Sequence, residues 1–209
     1  MKHEWRKKEK HFYIPKAKPE LISIPQFSFF TIEGKGNPNN KHFSNYIEAL
    51  YALSYGVKMG LKKEPVLNGY FDYTVYPLEG FWDISEDAKK TYTENSKLNK
   101  DDLVFKLMIR QPDFVTQEYA LKVIDKVKIK KKNPLINTVK FEKISEGNCI
   151  QMLHIGSYDD EAKTFKIMEE FAKNNNLKRV SKVHKEIYIS DFRKVAPEKL
   201  KTVLRFNVI

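Results

Sequence analysis

Cysteine is nearly absent: Cys149 stands alone among 209 residues. One cysteine cannot close an internal disulfide, which fits a reducing compartment and excludes a disulfide-built scaffold. It sits in an apolar-leaning run, residues 148–152, and reads as a small core filler rather than a nucleophile. Arginine is scarce too, with five among the 38 Lys+Arg. The net charge of +11 therefore comes from lysine, spread from end to end. Bidentate contacts to bases and phosphates favour arginine. No zinc-finger spacing, RNA-recognition signature or basic-region heptad occurs, so no specific nucleic-acid partner is expected. No apolar run approaches membrane-spanning length, and the first residues are charged rather than signal-like. A soluble, cytoplasmic protein without membrane contact is expected. Glycines number eight. Two of them open a turn cluster at 34–40, which lacks the third glycine and the following acidic residue of a dinucleotide fingerprint. Metal-ligand spacing is missing, so no metal and no cofactor are expected. His154 and His184 read as ordinary polar histidines.

What the chain does have is apolar and aromatic: 41% hydrophobic residues, with 14 Phe, 11 Tyr and 2 Trp. That is enough for one sizeable domain, 1–209, with a proper core. Residues 1–20 form a basic extension. Its Trp5, Phe12 and Tyr13 predict partial docking on the body. Strands are expected at 21–25, 27–32, 70–76 and 103–109, with the run 77–82 continuing the third. A helix is marked by Phe43, Tyr46, Ile47, Leu50, Tyr51 and Leu53 at helical spacing, and a second by Val115, Tyr119, Val123, Ile124 and Val127. Ser85 is placed to cap a short helix in a polar excursion, 85–99. Asn133-Pro134 is the clearest break. Beyond it come strands at 139–144 and 149–155, then a helix carrying Ala162, Phe165, Met168, Phe171 and Ala172. Two more strands follow, the last at 202–208. Each half, 21–132 and 133–209, repeats one element order. The expected class is α+β: two pseudo-symmetric β-α-β-β halves, an antiparallel sheet with helices on one face, and a central ligand cleft.

The stretch 182–209 carries the chemistry. Around Glu186, Val183, Lys185, Ile187 and Ile189 alternate with His184, Glu186, Tyr188 and Ser190. A strand face bearing an imidazole, a carboxylate, a phenol and a hydroxyl in turn suits a partly enclosed site. The bland alternative is a half-exposed strand with Glu186 paired to one of many lysines. If the halves pack about an axis, the strand of Glu79 and Trp82 meets that of Glu186 and Tyr188 at one cleft. Phe81, Tyr46, Tyr119 and Phe105 join these as candidate ligand-binding residues. Aromatic walls around a carboxylate suit a flat, apolar ligand with a cationic or electrophilic centre.

Several blocks together resemble the GyrI-like small-molecule-binding family, in its free-standing bacterial branch. They are Gly34-Lys35-Gly36-Asn37-Pro38-Asn39, Pro77-Leu78-Glu79-Gly80-Phe81-Trp82, Met108-Ile109-Arg110-Gln111-Pro112-Asp113-Phe114-Val115, and the stretch from His184 to Leu204. Asn37 stands where Asp is usual, and Lys185 where His is. The resemblance implies a tandem SHS2 (SOUL-like) fold and binding of hydrophobic, often cationic, compounds. Some members are similar to hydrolases that open cyclopropane rings in cytotoxic natural products. It implies polar pocket positions for Glu186 and Tyr188 and an aromatic wall at Trp82; in a hydrolase Glu186 would orient or deprotonate water and Tyr188 would hydrogen-bond it or the developing oxyanion. Three functions stay open: such a hydrolase, a non-catalytic drug-binding or sensing module, and a gyrase-interacting inhibitor. The oligomeric state stays open as well.

Overall fold

A computed structural model describes residues 2–61, 67–93, 96 and 98–209. Part of the excursion 85–99 therefore lies outside the described residues. Two short helices, α1 (Trp5–Lys8) and α2 (Lys10–Tyr13), precede β1 (Glu20–Lys35) and α3 (Phe43–Gly60). Next come β2 (Leu78–Ile84), α4 (Glu86–Thr91), β3 (Leu103–Gln111) and α5 (Gln117–Lys130). The rest is β4 (Lys140–Ile155), α6 (Glu161–Asn174), β5 (His184–Tyr188) and β6 (Lys201–Asn207). The sheet is antiparallel and closes on itself in the order β1-β3-β2-β5-β6-β4. The antiparallel sheet expected with helices on one face is thus a closed barrel, with α3, α5 and α6 packed outside it. The reason is that β1 pairs along one edge with β3 and along the other with β4, while β2 pairs with β5. Residues 20–111 pair in the order β1-β3-β2, and residues 140–207 in the order β4-β6-β5.

The helices form where apolar residues recur every three or four positions. Ala49, Leu50, Leu53 and Val57 turn α3 inward, and Ala120, Val123, Ile124 and Val127 do the same for α5. Thr116 caps α5 by accepting from the Tyr119 amide, and Ser85 caps α4 by accepting from the Ala88 amide. Two local expectations change. The strand pairs at 21–32 and 139–155 are each one continuous strand. The aromatic run 70–76 forms no strand of its own, only a single parallel bridge from Tyr73 to His3. Its backbone bonds go to the N-terminal segment, where the His3 amide donates to the Asp72 carbonyl and the Thr74 amide to the His3 carbonyl. Tyr73 and Tyr76 are buried there.

The barrel interior is charged as well as apolar. Lys185, 1% exposed, sets its Nζ 2.6 Å from Glu79 Oε2 and 2.7 Å from Glu146 Oε1. Arg205 is the second cation on Glu146, at 3.4 Å. Two cations thus face two carboxylates, and this balance is what makes such burial tolerable. Burial opposes the Glu146 carboxylate, but Lys185 and Arg205 outweigh it and hold its pKa below the ordinary value. The same interior anchors the N-terminal segment. Arg205 donates to the Phe12 carbonyl at 2.8 Å, Gln151 to the His11 carbonyl at 2.6 Å, and Tyr13 to Glu79 Oε1 at 3.3 Å. Glu9 receives Arg110 and Tyr76. Trp5 and Tyr13 are consequently buried.

Candidate functional site

Register decides which side chains meet. On the seam between β2 and β5, Gly80 lies opposite Glu186 and Trp82 opposite His184, while Glu79 lies opposite Ile187 and Phe81 opposite Lys185. Cross-strand partners share a face, and successive residues alternate. Trp82, His184, Glu186 and Tyr188 therefore face outward together. Glu79 and Phe81 face into the barrel, where Glu79 neutralises Lys185 and the Phe81 ring lies 5.1 Å from its Nζ. Gly80 matters for the outward face, because a Cβ there would come within 3.0 Å of Trp82 Nε1 and 2.9 Å of Leu107.

Helix ends bring further rings to this face. The N-terminal turn of α3 contributes Phe43 and Tyr46. Phe105 of β3 lies 5.2 Å from each of Phe43, Tyr46 and Trp82, centroid to centroid. Trp82 and Phe105 are each 5% exposed and form a floor, whereas Phe43 and Tyr46 are half-buried. Gly34 lets this cluster close over β1, since a Cβ there would sit 2.4 Å from the Phe105 ring and 2.8 Å from Tyr46. Gly34→Ala is expected to cost roughly 1–3 kcal/mol through overpacking. A denaturant titration with tryptophan emission would show it as an earlier midpoint. Tyr119 is placed elsewhere. It packs against Gly60 at the far end of α3, about 20 Å from Tyr46 at 1.5 Å per residue.

The polar part of the site joins β5 to the start of α6. Trp82 Nε1 donates to the Tyr188 hydroxyl at 2.8 Å, and that hydroxyl is within hydrogen-bonding reach of Glu186. His184 Nε2 lies 3.2 Å from Glu186 Oε1. Glu161, 7% exposed, brings a second carboxyl: one of its oxygens, one of Glu186 and a ring nitrogen of His184 all lie within 4.8 Å of one another. A turn holds Tyr158 beside them. Ser157 caps it by accepting from the Asp159 amide, and His154 bridges the Ser157 carbonyl and Thr164. The Tyr158 ring meets Tyr188 edge-on at 5.9 Å. Phe165 packs on His184 at 4.8 Å.

The electrostatics follow from burial and crowding. Burial first, then the Glu186 charge, push the Glu161 carboxyl well above the ordinary carboxylate value. The same two causes raise the Tyr188 phenol, and burial with Glu186 takes Tyr158 to about 12. Such a group calls for positive charge, whether a proton or a cationic ligand. Two surface cavities, about 230 and 160 Å³, lie elsewhere, at residues 128–137 and around Thr31, Glu33 and Lys140. Among the described residues no helix is long and apolar enough to cross a membrane.

Six of the residues singled out from sequence thus separate into two groups. Glu186, Tyr188, Trp82, Tyr46 and Phe105 share the outward face with Phe43, and Glu79 does not. Sequence reasoning missed Glu161 and Tyr158. The only signal for them is the turn 156–160, which ends β4 as a Gly-Ser-Tyr-Asp-Asp run.

Comparison with known proteins bears on this arrangement. A hydrolase from Listeria innocua, known from its crystal structure, is 36% identical with a TM-score of 0.86, and the match covers 100% of both chains. An uncharacterized conserved protein from the same organism is 37% identical with a TM-score of 0.88, again over 100% of both. The C-terminal domain of EcmrR, 15% identical with a TM-score of 0.50, covers 92% of this chain and 97% of its own and shares the fold alone. No curated protein matches. The GyrI-like small molecule binding domain matches residues 17–208. The chain belongs to the GyrI-like small molecule binding domain family.

Proposed function

We propose that the outward face of the β2–β5 seam is a cleft between two pseudo-symmetric SHS2 halves. It binds flat hydrophobic compounds with a cationic or electrophilic centre and hydrolyses those that carry a strained, activated cyclopropane. One observation carries this reading: a buried carboxylate, Glu186, stands beside a phenol that is itself held by the floor tryptophan. In the reaction, Glu186 takes a proton from water and the water oxygen bonds to a ring carbon. The strained C–C bond breaks, and its electron pair moves to the conjugated acceptor group of the compound. That group then regains a proton, so the net change is addition of one water. Tyr188 holds the water in line, and the rings of Trp82, Phe105, Phe43 and Tyr46 hold the compound. The 36% identity to a protein described as a hydrolase supports turnover over binding alone.

The test is product formation from a cyclopropane-bearing aromatic drug, followed chromatographically beside a binding titration. The ring-opened hydrate is expected with the unaltered chain. Tyr188→Phe keeps the ring but removes the hydroxyl that accepts from Trp82 and reaches Glu186, so its turnover should fall by roughly ten- to thirtyfold. Tight binding with no hydrate formed would leave the protein a binding module.

A further inference from the structure

The two sets of buried carboxyls in this fold are treated differently. Inside the barrel, Glu79 and Glu146 each lie against a lysine or arginine. On the outward face, Glu161 and Glu186 do not. Among the described residues neither is ion-paired with a lysine or arginine, and His184 is the basic neighbour. The groups that face the pair are His184 and Tyr188 on β5 and Tyr158 and Asp159 on the turn before α6. None of the others is basic. Glu161 Oε1 is buried without a partner. Two carboxylates cannot both be ionised in such a place.

We propose that Glu161 is the positioning residue for Glu186: the pair holds one proton, Glu161 donates it to Glu186, and Glu186 is left as the single carboxylate facing the ligand. The orphaned oxygen of Glu161 is then the one that carries the proton. Glu161 sits at the first turn of α6 and Glu186 in the middle of β5, so the bond also fixes the helix end against the strand. This proposal rests on the hydrolase reading for its kinetic test but not for its thermodynamic one.

Kinetically, turnover needs the pair in its singly protonated form. Wild-type kcat should fall on the acid side as the pair gains a second proton. It should fall on the alkaline side as the shared proton leaves, below the range where Tyr158 and Tyr188 ionise. In Glu161→Gln the amide donates the same hydrogen bond and has no such proton to lose. Turnover at neutral pH should stay within about threefold, one hydrogen bond's adjustment, and the alkaline fall should disappear. Glu161→Ala should lose about tenfold or more in kcat. An alkaline limb unchanged in Glu161→Gln, or an Ala variant with the wild-type rate and profile, would overturn the proposal. So would turnover that appears only with an added divalent cation, because the ion would then stand where the proton is placed.

The second readout uses no substrate. A carboxyl whose pKa is raised on folding binds its proton better in the folded chain. Its contribution to stability is present below the unfolded carboxylate value and is lost as pH rises through the folded value. Glu161→Gln removes that dependence. Unfolding midpoints in urea, taken from mildly acid to mildly alkaline pH, should therefore shift in favour of the variant as pH rises. If this shift is seen without any turnover, the shared proton stands and the hydrolase reading fails. If turnover is seen without the shift, the shared proton fails.

Discussion

Glu186→Gln is expected to bind the drug nearly as well as the unaltered chain and to lose about 10²-fold or more in turnover, the usual worth of a general base. Gln is nearly isosteric with Glu, so the floor of Trp82 and Phe105 and the Trp82–Tyr188 hydrogen bond stay in place. What disappears is the acceptor that takes the proton from water. The loss should fall on kcat rather than on KM, because the interaction matters as water becomes a nucleophile. The measurement is single-turnover formation of the hydrate with both forms, beside a binding titration. A variant whose affinity collapses while its residual rate is unchanged would make Glu186 a charge for holding cations. Undiminished turnover would take it out of the mechanism.

The largest stability effect is expected inside the barrel. Lys185→Met leaves Glu79 without its cation and leaves Glu146 with Arg205 alone. Breaking a buried pair by removing one partner typically costs roughly 3–5 kcal/mol, because the remaining charge stays desolvated. Urea unfolding followed by far-ultraviolet dichroism should show a loss of that order. The double replacement Lys185→Met, Glu79→Gln should recover a large part, since no unpaired charge then remains at Glu79 and Tyr13 keeps a hydrogen-bond partner. Equal losses in the single and double variants would mean that the volume of Lys185 matters here and its charge does not.

These two residues show what the sequence made legible. Strict alternation along 183–190 placed Lys185 on the face of Ile187 and Glu186 on the face of Tyr188, and both placements fit the register of β5. The same parity argument, applied along β2, separates Glu79 and Phe81 from Trp82. Treating Leu78-Glu79-Gly80-Phe81-Trp82 as one lining overlooked it. A lysine on an apolar face was itself a signal, because its charge had to meet a buried carboxylate. Glu161 was out of reach of periodicity. It is the first residue of α6, and it meets Glu186 only because β4 closes the barrel and the turn at Tyr158 aims the helix at β5. Tyr119 fitted the helical pattern of α5 correctly. Pattern could not tell which end of α3 it would meet.

The central claim is that this face adds water to a strained ring, and the oxygen of the product tests it most directly. The unaltered chain, incubated with a cyclopropane-bearing aromatic drug in water enriched in heavy oxygen, should yield a ring-opened product that carries the label. The product should form far faster than in buffer. Unchanged drug recovered from a tight complex, or a product without the label, would contradict the account.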